Sequence, residues 1–104
     1  MEVKTDKNGK KKEKMNIRVK MMISGRVQGV GYRYFTKGQA EKMGLKGWVK
    51  NLDNGGVEAV FEGKEKQVRK MLEWCRKGSM LAKVDDIKIT EEDCQREKDF
   101  VILK

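Results

Sequence analysis

The 104-residue sequence contains no histidine and only two cysteines. An active site without imidazole must run a reaction that needs little proton transfer from the protein. Cys75 and Cys94 are too few and too far apart in sequence to form a metal site, and no histidine is present to join them. We expect ordinary buried or half-buried thiols, with a disulfide between the two left open.

The sequence also lacks long apolar segments. No run approaches the roughly 18 apolar residues of a membrane span, and the first residues lack the apolar segment of a secretory signal. We therefore expect a soluble, cytoplasmic protein that does not contact a membrane. The length indicates one domain with a modest core, and an apolar fraction of 38% is too high for a wholly disordered chain.

Positive charge is in excess, with a formal net charge of +9 at pH 7. Residues 1–14 contain six lysines and three acidic residues, so most of the excess belongs to the rest of the chain. The balance favours anionic partners, either phosphate-bearing metabolites or nucleic acid, while a lysine-rich soluble surface is the alternative. Because residues 1–14 show no hydrophobic period, we interpret them as a flexible basic tail before a domain at 15–104.

Hydrophobic periodicity predicts the order β-α-β-β-α-β and a short final strand. The predicted segments are a strand at 17–23, a helix at 32–43, strands at 45–52 and 57–62, a helix at 64–77, and strands at 84–90 and 100–103. A turn with the sequence DNGG separates the second and third strands. The order predicts an α+β fold of the ferredoxin-like type, a split βαβ sandwich. Its antiparallel sheet has the order 4-1-3-2, and both helices lie on one face.

A glycine-rich loop follows the first predicted strand, with the sequence SGRVQGVGYRYF at residues 24–35. Strands 1 and 2 run parallel in this topology, so the loop, Arg33 and Asn51 should converge at one edge of the sheet. Gly25, Gly29 and Gly31 permit a backbone whose N–H groups turn inward beside a helix N-terminus, which suits an anion. Known phosphate-loop patterns are absent. A tight strand-to-helix connection is the alternative.

Three segments together resemble the acylphosphatase family. They read SGRVQGVGYRYF, KGWVKN and DNGGVEAVFEG, and the similarity extends over residues 16–104. Tyr32 departs from the phenylalanine that is usual in the family. The resemblance implies that Arg33 binds the phosphoryl group, that Asn51 orients the attacking water, and that the loop backbone holds the phosphoryl oxygens. The implied phosphate-binding residues are Val27, Gln28, Gly29, Val30, Gly31, Tyr32 and Arg33.

An acyl phosphate suits a chain without histidine. Its leaving group is a carboxylate, whose conjugate acid has a pKa of about 4, so it departs without a proton at neutral pH. Phosphoryl transfer depends mostly on positioning and charge stabilisation, which an arginine and backbone N–H groups supply. The resemblance thus implies hydrolysis of small acyl phosphates to a carboxylate and inorganic phosphate, without cofactor or metal. The pattern leaves open whether the substrate's own phosphate accepts the water's proton, and it does not identify the acyl group.

Other interpretations remain at this point. Arg33 would otherwise be a solvated helix arginine, and Asn51 would only end a strand. RNA-recognition modules share the topology, but they stack bases on aromatic side chains of the central strands. The third strand here offers only Phe61, so nucleic acid is not the partner that we expect. A module of a larger hydrogenase-maturation protein would need zinc-binding cysteines that are missing. We expect a monomer.

The interpretation of residues 1–14 as a tail predicts that they are dispensable. A variant that begins at Met15 should keep the melting temperature and turnover of the full chain, because no apolar period ties the tail to the core. Thermal unfolding and phosphate release from benzoyl phosphate measure the two quantities. A large drop in either quantity would mean that the tail packs on the domain or binds substrate.

Overall fold

A computed structural model of the chain describes residues 16–104. The predicted tail at 1–14 lies outside the described residues. The elements follow the predicted order, with β1 and β4 longer than the sequence pattern indicates because they pair along almost their whole length. The elements are β1 (Ile17–Arg26), α1 (Tyr32–Lys42), β2 (Lys46–Asn51), β3 (Val57–Gly63), α2 (Glu65–Lys77), β4 (Lys83–Glu92) and β5 (Phe100–Ile102).

The sheet has the order β4-β1-β3-β2-β5. Its first four strands confirm the predicted antiparallel order 4-1-3-2, with β3 between the parallel strands β1 and β2. The final strand β5 pairs in parallel with β2, which the sequence did not predict. The five-stranded sheet is therefore mixed, and β5 lies beside the strand that carries Asn51.

One face of the sheet forms the core with both helices. Alternate residues of the central strands and the apolar stripe of each helix make a single buried cluster, as the predicted two-layer sandwich requires. The Tyr32 ring is buried in it, and its hydroxyl donates to the Cys75 carbonyl at 2.8 Å. This bond explains how a tyrosine replaces phenylalanine here, since the added hydroxyl is not left without a partner. The cluster includes Ile17, Val19, Met21, Ile23, Ala59, Phe61, Val68, Met71 and Cys75.

The other face of the sheet carries charged side chains on its central strands. Lys20 lies between Glu58 and Glu92, with Nζ to Oε2 distances of 3.9 and 3.3 Å. Phe61, the aromatic residue of β3, points the other way and stacks on Phe100 in the core, with ring centroids 5.5 Å apart. The central strands therefore present ion pairs where an RNA-recognition module presents aromatic rings.

An ion-pair network, here called the Arg18 cluster, is buried on this charged face. The Arg18 guanidinium contacts the carboxylates of Glu62 and Glu92 at 3.0 Å and that of Glu97 at 2.9 Å. The side chains of Arg18 and Glu62 are each only 5% exposed. Removing Arg18 or Glu62 would leave the other buried without its main partner, which is more costly than breaking a surface pair, whereas Glu92 and Glu97 remain partly exposed.

Glu62 also holds the segment 93–99, which connects β4 to β5. Its carboxylate accepts the backbone N–H groups of Gln95 at 3.0 Å and Arg96 at 2.7 Å. Burial alone would raise the pKa of Glu62, but these N–H groups and the Arg18 guanidinium hold it below its usual value. The carboxylate is therefore ionised in the folded protein, and its charge fastens the segment that leads to β5.

The two cysteines are free thiols, so the disulfide is excluded. Cys75 is buried on α2, and burial raises the pKa of its thiol to about 12. Cys94 is exposed in the segment after β4, rather than half-buried as the sequence suggested. Neither helix that the structure describes is long and apolar enough to cross a bilayer.

The depressed pKa of Glu62 predicts acid-sensitive stability. A lowered pKa stabilises the fold above the ordinary value of 4.5, and this stabilisation is lost as the pH falls through the folded-state pKa. The variant Glu62→Gln should lower the free energy of unfolding at pH 7 by about 1–3 kcal/mol. It should also lose less stability between pH 6 and pH 3 than the wild type. Urea unfolding across that range measures both effects, with Glu73→Gln on the exposed side of α2 as control. Parallel pH dependences of Glu62→Gln and wild type would contradict this account.

Candidate active site

The loop between β1 and α1 depends on glycine. Gly29 and Gly31 have φ angles of +74° and +78°, and Gly31 is the left-handed N-cap of α1. A residue with a Cβ atom loses roughly 1–2 kcal/mol of stability when its backbone adopts this left-handed conformation. Gly25 at the end of β1 also has a positive φ, so all three loop glycines use the conformational freedom that the sequence predicted.

The start of α1 presents free backbone donors. No side chain caps the helix, and its first turn has no acidic residue. Within residues 16–104, the N–H groups of residues 28–34 have no hydrogen-bond acceptor. The first N–H groups of a helix point along its axis and carry the positive end of the helix dipole. Together these donors make the end of the loop a suitable place for an anion.

Arg33 lies on the first turn of α1 and is half-buried. Its guanidinium makes no ion pair or hydrogen bond with any other described residue, whereas Arg18 contacts three carboxylates. A guanidinium without a counter-ion among the described residues can bind an anion through its two-pronged donor geometry.

Asn51 ends β2 opposite Val57 of β3. Its side-chain oxygen Oδ1 is enclosed, and none of the described groups donates to it. A buried acceptor without a partner costs about 1–3 kcal/mol, and such groups call for an explanation in a folded protein. Asn51 Oδ1 is thus an enclosed acceptor that no described residue uses.

Arg33 and Asn51 meet at one pocket of about 180 Å³, as the topology predicted. Larger clefts of about 360, 410 and 530 Å³ lie elsewhere on the described part of the chain, but neither residue lines any of them. Chemistry rather than size identifies the site. The pocket is lined by Val27, Gly29, Gly31, Tyr32, Arg33, Tyr34, Asn51 and Ile102.

Gln28 and Val30 belong to the loop but do not line the pocket. The Gln28 amide nitrogen donates to the carbonyl oxygens of Leu52 and Gly56, both at 2.7 Å. The Val30 side chain packs against the core, and its carbonyl accepts from the Ser79 hydroxyl at 3.0 Å. These side chains fix the loop in place, so an anion can be bound only through their backbone N–H groups.

Three residues of the site were not among the sequence candidates. Tyr34 lies next to Arg33 and is 71% exposed, and its only sequence signal is an aromatic residue inside the loop motif. Ile102 reaches the pocket because β5 pairs with β2, a contact that no local pattern predicts. Ser79 follows the glycine that ends α2 and supports the loop through its hydrogen bond to the Val30 carbonyl, but its position in the sequence has no distinguishing pattern.

The pocket has few groups for acid–base or metal chemistry. None of the described residues that line it carries a carboxylate or a thiol. Over residues 16–104, no three Cys, Asp or Glu side chains are grouped so that they could hold a metal ion. The phenol of Tyr32 is buried, and that burial raises its pKa, so this hydroxyl stays protonated at neutral pH.

Comparison with known proteins gives a consistent result. The family model for acylphosphatase matches residues 19–102. The chain is 47% identical to an acylphosphatase of Methanothrix thermoacetophila over 89 residues, which are 86% of this chain and 99% of that protein. It is 50% identical to an acylphosphatase of Haloarcula marismortui over 76 residues, which are 73% of this chain and 84% of that protein.

Solved structures agree with the sequence matches. The acylphosphatase of Bacillus subtilis superposes with a TM-score of 0.83 at 40% identity, covering 85% of this chain and 99% of that one. Full-length HypF, in a phosphate- and nucleotide-bound form, gives a TM-score of 0.77 at 30% identity, but the match covers only 12% of its length. By sequence, fold and the contents of its pocket, the chain belongs to the acylphosphatase family and is an enzyme that hydrolyses acyl phosphates.

Proposed function

We propose that Arg33 and Asn51 are the catalytic residues of this hydrolysis and that the reaction proceeds without a metal ion. One observation carries the proposal. Among residues 16–104, a guanidinium without a counter-ion and the side-chain amide of Asn51 line the same pocket, beside backbone N–H groups without acceptors. These groups complement a phosphoryl group and a water molecule.

The phosphoryl group binds at the start of α1. The backbone N–H groups of the loop and of the first turn of α1 donate to its oxygens, and the Arg33 guanidinium binds two of these oxygens at once. Because these donors are fixed by the fold before substrate arrives, they stabilise the charge that develops in the transition state without further rearrangement. The phosphate-binding residues of this proposal are Val27, Gln28, Gly29, Val30, Gly31, Tyr32 and Arg33.

Asn51 orients the attacking water. Its side-chain amide holds the water opposite the leaving oxygen, so that a new P–O bond forms in line as the bond to the acyl oxygen breaks. The carboxylate leaves with the electron pair of the broken P–O bond and needs no proton, because its conjugate acid has a pKa of about 4. The proton lost by the water passes to a phosphoryl oxygen of the substrate, so no histidine or carboxylate is required.

We further propose that the enzyme works as a cytoplasmic monomer. Two free thiols, one of them exposed at Cys94, fit a reducing compartment. Gel filtration with light scattering tests the oligomeric state, and the mass of a single chain is expected.

Substitution of Arg33 tests its contact with phosphate throughout the reaction. Arg33→Ala should weaken competitive inhibition by inorganic phosphate and lower kcat by about 10²–10³. Arg33→Lys should recover little activity, because an ammonium cannot make the two parallel hydrogen bonds of a guanidinium. Arg69→Ala, an exposed arginine of α2, serves as the control. A fully active Arg33→Lys variant would show that charge alone suffices and that the two-pronged geometry is unnecessary.

Substitution of Asn51 should separate chemistry from binding. Asn51→Ala should lower kcat by about 10²–10³ while phosphate inhibits about as before, because the amide acts on the water. Circular dichroism and melting temperature must first establish that the variant folds, since Asn51 ends a strand. A folded variant with near-normal turnover would remove the water-orienting role.

Removal of divalent ions tests the metal-free proposal. Phosphate release from benzoyl phosphate should be the same before and after treatment with a chelator, because the charge on the phosphoryl group is met by Arg33 and backbone N–H groups. Activity that is lost with the chelator and restored by an added divalent ion would contradict the proposal.

A further inference from the structure

We propose that Tyr34 and Ile102 form an apolar wall that selects acyl phosphates with an apolar, and above all an aromatic, acyl group. The inference rests on the proposed function, because it places the acyl group beside the phosphoryl site. The two side chains line the pocket of Arg33 and Asn51 but come from different elements, α1 and β5.

Both side chains leave apolar surface uncovered at the pocket. Tyr34 is 71% exposed, and its ring meets that of Phe35 edge to face, with centroids 5.4 Å apart. Ile102 is 37% exposed on the edge strand of the sheet. Neither side chain is buried in the core, so a ligand in the pocket can still cover both of them. Covering apolar surface is favourable, and an aromatic ring gains further from contact with another ring.

The positions of the two residues match where an acyl group must lie. The acyl group is joined to phosphorus through one oxygen, so it begins within a few ångströms of the groups that hold the phosphate. Tyr34 directly follows Arg33 on the first turn of α1. Ile102 pairs with Val49, two residues before Asn51, and the Leu103 N–H donates to the Val49 carbonyl at 2.9 Å.

Charge in the pocket also favours an apolar group. Among the described residues, Arg33 is the single charged side chain in the lining of this pocket, and in the proposal the phosphoryl group occupies it. A second negative charge on the acyl group would therefore find no cation among the lining residues. Apart from Arg33, Asn51 and the lining residues of 27–32, the pocket is lined by the phenol of Tyr34 and the aliphatic chain of Ile102, which suit a neutral apolar group.

The experiment compares kcat/KM for benzoyl phosphate and acetyl phosphate, which share the reacting phosphoryl group and differ in the acyl group. The wild type should prefer benzoyl phosphate. Tyr34→Ala should lower the ratio of the two kcat/KM values by about two- to tenfold, the range expected for loss of an aromatic contact. Tyr34→Phe should keep the ratio, and Ile102→Ala should lower it by about twofold.

Two control variants lie outside the pocket lining. Met80→Ala removes an apolar side chain that is 97% exposed, and Val101→Ala truncates the neighbour of Ile102 on the same strand. Both should keep the wild-type ratio. An equal loss on both substrates in Tyr34→Ala, or an unchanged ratio in both pocket variants, would overturn the wall.

A binding measurement separates the wall from the proposed function. Benzoylphosphonate and acetylphosphonate cannot be hydrolysed, and calorimetry gives their affinities directly. If Arg33→Ala and Asn51→Ala both keep near-normal turnover, the proposed function fails, while a benzoylphosphonate preference that Tyr34→Ala abolishes would still support the wall. Equal affinities for the two phosphonates in the wild type would overturn the wall even in an active enzyme.

Discussion

Two hydrogen bonds from the Gln28 side chain join the two halves of the active site. They reach the carbonyl oxygens of Leu52 and Gly56, at either end of the turn that follows Asn51. The glycine loop is thereby tied to the end of β2, so the loop N–H groups keep a fixed position relative to the Asn51 amide, as the proposed phosphate and water positions require. The left-handed glycines would otherwise leave the loop with many conformations. Phosphoryl transfer depends mostly on the positions of the groups around the substrate, and the Gln28 bonds fix the loop relative to the end of β2.

The nature of the leaving group explains which chemical groups the pocket contains. A carboxylate leaving group needs no general acid, so the proposed site consists of one arginine, one amide and backbone donors. The charged groups of the fold are mostly placed elsewhere, and the Arg18 cluster holds the segment 93–99 on the opposite face of the sheet. That segment leads to β5, where the Gly47 N–H donates to the Asp99 carbonyl at 2.9 Å. A buried ion-pair network thus fixes the strand that brings Ile102 to the pocket.

Sequence reasoning predicted the fold and the meeting of Arg33 with Asn51, because both follow from local periodicity and one topological rule. Strands 1 and 2 are parallel once β3 lies between them, so their ends share an edge. The role of Gln28 was not predictable in this way, since its partners lie 24 and 28 residues along the chain. The placement of β5 also escaped prediction, because three residues can pair with either edge of the sheet. Ile102 was missed for that reason. Tyr34 was missed because an aromatic residue inside the loop motif has no other distinguishing signal.

The central claim is that the loop N–H groups and Arg33 form a ready-made phosphate site beside Asn51 in the free protein. Titration of the ¹⁵N-labelled enzyme with inorganic phosphate, followed by amide chemical shifts, tests it most directly. The account predicts saturable shifts concentrated in residues 27–34 and in the side-chain amide of Asn51, with little change in β4 or α2. Small shifts spread over the lysine-rich surface, without saturation and without a response in residues 27–34, would contradict it.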